Sequence, residues 1–283
     1  AYAVQKLLVT ELSRRGVANN ATAAELEAGA HAEATRDITV TCATDGNHGR
    51  SVAWGARRFG CRCVIFVHEG VSAGRREAIA RYGAEIRVVP GTYDDAVRAA
   101  ARTAEAENWF VVSDTSYPGY TEIPRDVMQG YRLMAEEALT LRARHGTTVK
   151  LVVAEPERAA CLLASAEAGE AVTVPGELDT LMAGLACGEP SLLAWQELER
   201  SAYAFAAVPD ESAVDCMRLL ARRTPPVTAG ESAVAGLATL LLAAADPLTR
   251  AMLDLTPDSR VLVFDAEGAT DPALYERLTA PAA

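Results

Sequence analysis

From residue 38 to residue 112 the chain alternates short apolar, β-branched runs with amphipathic stretches, and this alternation leaves few folds open. The runs 38–42, 63–67, 86–89 and 110–112 have strand length and composition, while the segments 50–59, 72–82 and 93–106 carry apolar residues at helical spacing. Strand, helix, strand, helix at this interval predicts a parallel sheet with crossover helices. In such a sheet ligands collect beyond the carboxyl ends of the strands. The first of those ends is the turn Thr44-Asp45-Gly46-Asn47-His48-Gly49. A strand that stops at a short loop opening a helix leaves backbone N–H groups turned into the loop, where they suit an anion. Asp45, Asn47 and His48 add a carboxylate, an amide and an imidazole. The plainer alternative is an Asp-Gly turn with a helix cap.

Residues 1–35 read as helices, with Val4, Leu7, Leu8 and Leu12 at helical spacing and an Ala- and Glu-rich stretch after them. Beyond the alternating region, 122–141 reads as one long helix with Pro124 tolerated in its first turn. A second α/β region follows. Its strands are expected at 151–154 (closed by Glu155-Pro156), 204–208 and 261–264, and its helices at 157–168, 191–200, 211–222 and 231–245. The long helix sets the division: a small domain over 38–130, and a large domain from 1–37 and 131–283.

Half of the 283 residues are hydrophobic, enough for one large or two modest cores. The formal charge of −11 is spread without acidic or basic blocks, which argues against a nucleic-acid surface or a polybasic membrane anchor. No uncharged apolar run approaches membrane-spanning length and the N-terminal segment has no signal pattern, so a cytoplasmic location is expected. The six cysteines, Cys42, Cys61, Cys63, Cys161, Cys187 and Cys216, lack zinc-ligand spacing, and no metal is expected. Most read as buried small hydrophobes in a reducing compartment. Cys161 and Cys187 flank a loop and read as two free thiols or as a pair.

Six segments carry more than local meaning. They are Ala43-Thr44-Asp45-Gly46-Asn47-His48-Gly49-Arg50; Asp114-Thr115 followed by Gly119-Tyr120-Thr121-Glu122-Ile123-Pro124; Met128-Gln129-Gly130-Tyr131; Ala154-Glu155-Pro156-Glu157; Met182-Ala183-Gly184-Leu185-Ala186-Cys187-Gly188-Glu189-Pro190; and Glu267-Gly268-Ala269-Thr270-Asp271-Pro272. Occurring together and in this order, they make the chain resemble the diaminopropionate ammonia-lyases, a family of fold type II pyridoxal-phosphate enzymes. The resemblance implies two doubly wound parallel-sheet domains of tryptophan synthase β-like architecture, pyridoxal phosphate as cofactor, a small amino-acid substrate and a homodimer. It implies removal of ammonia from 2,3-diaminopropionate, leaving an aminoacrylate that hydrolyses to pyruvate and a second ammonia.

By the family pattern Asn47 hydrogen-bonds the ring hydroxyl of the cofactor, and the loop from Thr44 to His48 receives the substrate carboxylate on its N–H groups. Asp45 faces the substrate amines as a base or an electrostatic partner, and Asp114 is the second acidic group. Two carboxylates suit a substrate with two protonatable amines. Asp114 has the alternative of merely starting a turn before Thr115. Gly184 allows close approach to the cofactor ring, or ends a helix. Tyr120 and Tyr131 read as core aromatics, and His48 and Arg50 as scaffold or helix-end residues.

The chain departs from the family pattern in three places. The family's cofactor-bearing lysine lies just ahead of a Gly-Ala-Tyr-Ala-Val stretch, and the chain opens at Ala1-Tyr2-Ala3-Val4. Of the 27 basic residues only Lys6 and Lys150 are lysines, and neither matches that motif. The glycine-rich loop that cradles the cofactor phosphate is expected between Met128 and Leu151, where Leu139-Thr140-Leu141-Arg142 runs on to Lys150 within a few residues and no two glycines adjoin. Where the family has a small hydroxyl residue near the pyridine nitrogen stand Asp265 and Ala266; the Asp265 carboxylate could pair with a protonated ring nitrogen or point to solvent. The alternatives to the lyase reading are a serine or threonine dehydratase-like enzyme of the same fold, against which Asp45 speaks, and a non-catalytic amino-acid-binding remnant.

Overall fold

In the computed structural model, which describes residues 1–44, 46–132 and 149–280, three helices precede the first strand: α1 (Tyr2–Arg14), α2 (Ala23–Glu27) and α3 (Ala32–Arg36). One face of α1 buries Ala3, Val4, Leu7, Leu8 and Leu12, the stripe that helical spacing predicts. Next come β1 (Thr39–Ala43), α4 (Asn47–Phe59), β2 (Arg62–His68), α5 (Ala73–Ala80), β3 (Glu85–Val89), α6 (Tyr93–Glu107), β4 (Phe110–Val111) and α7 (Glu122–Gly130). The strands form one parallel sheet in the order β3-β2-β1-β4.

Both faces of this sheet are covered, as a parallel sheet requires. Cys63, Ile65 and Val67 of β2 join α1 and α4 in one core, while Val64 and Phe66 point to the opposite face and meet Ala96 and Ala100 of α6. That two-sided burial explains why β2 reads as a continuous apolar run. α4 stops at Gly60, whose φ of 76° is left-handed and costs glycine nothing.

Glu11 is the buried charge of the α1 face. Its carboxylate accepts from Arg14 Nε and Nη2 (both 2.7 Å) and from Arg15 Nε (2.6 Å). The Arg14 hydrogen bond, ahead of that from Arg15, holds its carboxyl down at about 2 from the usual 4.5. A depressed acid contributes stability that is present above its unfolded value and is lost as pH falls through the folded one. The exposed arginines limit the contribution to about 1 kcal/mol. Glu11→Gln is therefore expected to flatten the acid-unfolding curve between pH 4.5 and about 2, measured by circular dichroism.

The second unit covers residues 148–283, the first 1–147. Its strands β5 (Val152–Pro156) and β6 (Ala204–Val208) pair in parallel over five residues. Its helices are α8 (Cys161–Ala168), α9 (Leu192–Ser201), α10 (Asp210–Ala221), α11 (Ala235–Ala245), α12 (Pro247–Met252) and α13 (Pro272–Thr279). Met182, Val208, Ala213, Cys216, Met217, Val234 and Ala238 make the core.

Two expectations change. The strand expected at 261–264 does not form, and Val261, Leu262, Val263 and Phe264 are exposed. An apolar run becomes a strand only beside a neighbour that pairs its backbone, and among the described residues the sheet of this unit has only β5 and β6. The helix expected over 122–141 closes at Gly130, where the Tyr131 N–H turns back to Met128 O at 3.0 Å. Positions 133–141, and with them the expected glycine-loop region up to 148, lie outside the described residues. No described helix is long and apolar enough to cross a membrane.

Candidate active site

Sheet order decides which turns meet. β4 pairs with β1 (Val40 opposite Phe110, Thr41 opposite Val111), so the segments after these two strands emerge side by side at the carboxyl edge. After β1 the chain enters α4 at Asn47, three residues earlier than the apolar pattern alone predicts, and so Asn47 and His48 occupy the first turn of that helix. Asn47 is exposed at the edge. Asp45 lies outside the described residues.

Thr44 holds the turn. Its hydroxyl, on a residue only 4% exposed, accepts the N–H groups of both Gly46 (3.0 Å) and Gly49 (3.1 Å). Two of the loop's N–H groups are thus already engaged. The glycines are fixed by close approach rather than by backbone angle: a Cβ on Gly49 would lie 2.3 Å from Thr44 Cγ2, and one on Gly46 would lie 2.6 Å from a guanidinium nitrogen of Arg75. Arg75, on α5, is 3% exposed and sits beneath this turn. Nothing in the sequence pattern around residue 75 singles it out.

Asp114 follows β4 and reaches the turn. Its Oδ2 lies 3.4 Å from Nδ1 of His48, whose Nε2 lies 2.7 Å from the carbonyl oxygen of Val112. His48, expected only as scaffold, thus ties the two emerging segments together. The Tyr120 hydroxyl anchors the same loop, accepting the Ser113 N–H (3.0 Å) and donating to Val111 O (2.9 Å), and burial pushes its phenol well above the usual range. Tyr120 is the satisfied aromatic that was expected. Tyr131, expected in a core, is exposed.

In the second unit, Thr180 Oγ1 and the Leu181 N–H donate to Asp210 (2.6 and 2.8 Å) and set the short turn Ala183–Leu185. Gly184 lies in that turn; its N–H donates to Ser232 Oγ at 2.9 Å, and Ser232 fills the space beside its Cα. Glu267, buried, accepts the Ser232 N–H at 3.3 Å, while its carbonyl accepts the Gly230 N–H at 2.7 Å. Ser232 and Glu231, another buried carboxylate, lie in a segment that sequence reasoning passed over as the start of a helix. A Cβ on Gly230 would meet the Gly268 carbonyl oxygen at 2.7 Å, and backbone cannot swing aside. Gly230→Ala is expected to destabilise this unit by about 1–3 kcal/mol, read as a lowered thermal midpoint.

Asp265 is exposed, and what burial it has raises its carboxyl from the usual value. Glu155, buried at the end of β5, accepts the N–H groups of Leu162 (2.9 Å) and Leu163 (2.8 Å) and so caps α8. Cys161 and Cys187 are free thiols, the Cys161 thiol raised first by its neighbour Cys187 and then by burial. Lys6 is exposed on α1, and the Lys150 amine pairs with Asp254 over the Tyr203 ring.

The family pattern described as "Pyridoxal-phosphate dependent enzyme" matches residues 13–143 and 138–264. The chain is 34% identical to the diaminopropionate ammonia-lyase of Escherichia coli (strain K12) over 276 positions, covering 85% of this chain and 69% of that one. To the diaminopropionate ammonia-lyase of Salmonella typhimurium (strain LT2) it is also 34% identical, over 317 positions, 98% of this chain and 78% of that one. The crystal structure of holo diaminopropionate ammonia lyase from Escherichia coli superposes with a TM-score of 0.86 at 32% identity, covering 98% of this chain and 77% of that one. This chain therefore belongs to the pyridoxal-phosphate-dependent enzymes of fold type II, as a homologue of the diaminopropionate ammonia-lyases.

Proposed function

We propose that the chain is an ammonia-lyase that eliminates ammonia from 2,3-diaminopropionate with pyridoxal phosphate, yielding pyruvate. The observation that carries the reading is the His48–Asp114 contact, because it brings an acid from one strand end against the turn that contains Asp45. Asp114 there and Asp45 in the sequence of that turn would match a substrate with two amines. A serine or threonine dehydratase has one amine to meet and no need of the second.

The residues present fit the cofactor's ring: Asn47 offers an exposed amide in the first turn of a helix, at the carboxyl end of a parallel strand. Asn47 would donate to the ring hydroxyl; a cofactor-binding role for Gly184 rests on the family resemblance alone. When bound, pyridoxal phosphate withdraws electrons from the substrate Cα so that a modest base can take its proton. Asp45 is assigned as that base and as partner of the amines, and Asp114 as the second acid. Thr44 contributes by stiffness, since its hydroxyl fixes the turn whose remaining N–H groups, aided by the α4 dipole, receive the substrate carboxylate.

The tether is assigned to neither Lys6 nor Lys150. The alignment with the Salmonella enzyme is 317 positions long against 283 residues in this chain, so it contains gaps; that a strand and its glycine-rich loop are missing before Lys150 rests on the family pattern. The small domain over 38–130, the large domain from the remainder, a homodimer and a cytoplasmic location are parts of the same proposal and rest on the resemblance. The test is to express the full gene product with cofactor, follow the visible absorbance of the bound cofactor, and assay pyruvate from diaminopropionate and from serine. Pyruvate from diaminopropionate supports the reading. Pyruvate from serine alone makes the chain a dehydratase, and failure to retain cofactor makes it a binding remnant.

A further inference from the structure

The His48 ring is held from both nitrogens, and its tautomer follows. A carbonyl oxygen only accepts, so Nε2, at 2.7 Å from Val112 O, carries a proton. In the neutral ring Nδ1 then presents a lone pair toward Asp114 Oδ2 at 3.4 Å. A lone pair facing a carboxylate repels it, so the contact is attractive only when the two groups together hold one further proton. The imidazole is 11% exposed and the carboxylate 43%, so the ring is the fixed partner and the acid the one that reaches outward.

We infer that His48 is the positioning residue of Asp114: Val112 locks the ring, and the ring holds Asp114 at the mouth of the turn as a pair sharing one proton. The other groups that feel the Asp114 charge are Cys42 of β1, Tyr120 of the same loop and Tyr131 after α7. Burial raises the Cys42 thiol and the Tyr120 phenol. The remaining acid of the turn is Asp45.

Two isosteres separate positioning from scaffolding. His48→Asn places an amide N–H near the Nδ1 position and can still donate to Asp114; His48→Gln reaches the Nε2 position and can still donate to Val112. If His48 acts through Asp114, the Asn variant keeps more turnover than the Gln variant, with kcat of the latter reduced about tenfold and KM little changed. Asp114→Asn added to His48→Gln should cost little more than either alone. Gln outperforming Asn, or additive losses, would overturn the inference.

These kinetic arms rest on the lyase reading, and a spectroscopic arm does not. In nitrogen-15 NMR of the imidazoles, with His48 assigned by the His48→Gln variant, His48 should be the Nε2–H tautomer at high pH. The exposed substitution Asp114→Asn should shift the His48 Nδ1 resonance, which faces the replaced group, more than that of Nε2. An Nδ1–H tautomer, or an Nδ1 resonance unmoved in Asp114→Asn, overturns the inference whatever the substrate proves to be.

Discussion

Gly49→Ala is expected to destabilise the first unit, although alanine ordinarily gains about 1 kcal/mol over glycine inside a helix. The added Cβ would stand 2.3 Å from the Thr44 methyl, and Thr44 is buried. Forcing a methyl into a filled site costs about 1–3 kcal/mol. Rotating Thr44 out of the way would carry its hydroxyl off the Gly46 and Gly49 N–H groups, and a buried donor left unpaired costs about 1–3 kcal/mol. Either loss outweighs or matches the propensity gain, leaving a net loss of up to about 2 kcal/mol and a thermal midpoint lower by up to about 8 °C. Thr44→Ser removes the obstructing methyl while keeping the hydroxyl, so the double variant Gly49→Ala/Thr44→Ser should recover most of the loss. A calorimetric scan that finds Gly49→Ala as stable as the parent would show that the turn is not held in this way.

The second large effect is on turnover. Asp45→Asn replaces a carboxylate by an amide of the same shape, so the turn keeps its size while the substrate amines lose their counter-charge and the Cα proton its proposed acceptor. Loss of a general base lowers kcat by about a hundredfold or more. Cofactor retention, which depends on other groups, should be unchanged. Steady-state assay of pyruvate release from diaminopropionate, run beside the cofactor absorbance, separates the outcomes. Unchanged kcat would remove Asp45 from the mechanism, and loss of cofactor would reassign it to building the turn.

What could be read early and what could not divides along physical lines. The four strands of the first sheet and their crossover helices were legible because both signals are local: β-branched runs favour strands and 3.6-residue spacing favours helices, wherever the segments end up. The run 261–264 carries the same local signal, yet it forms no strand, because pairing is supplied by a neighbour and not by the run itself. The start of α4 moved back to Asn47 because hydrophilic first-turn residues add nothing to an apolar pattern. Arg75 escaped notice, and His48 was read only as a scaffold or helix-end residue, for a related reason. Each earns its place through a partner distant in the chain: His48 through Val112 and Asp114, and Arg75 beneath Gly46.

By itself the sequence determined the α/β class and the family, through six motifs in order, and it pointed to the turn after the first strand as the proposed place for chemistry. It also identified Asp45, Asn47 and Asp114 as the residues to watch. Only the tertiary structure decided that Asp114 stands against that turn, since the order β3-β2-β1-β4 makes the first and fourth strands neighbours and brings together segments some 65 positions apart. It alone decided that Thr44 clamps two N–H groups, that a Cβ on Gly49 would collide with Thr44, and that the His48 ring stands between Val112 and Asp114. Local propensity is a property of each segment, whereas hydrogen-bond partners and close approaches belong to pairs that only the closed sheet brings within reach.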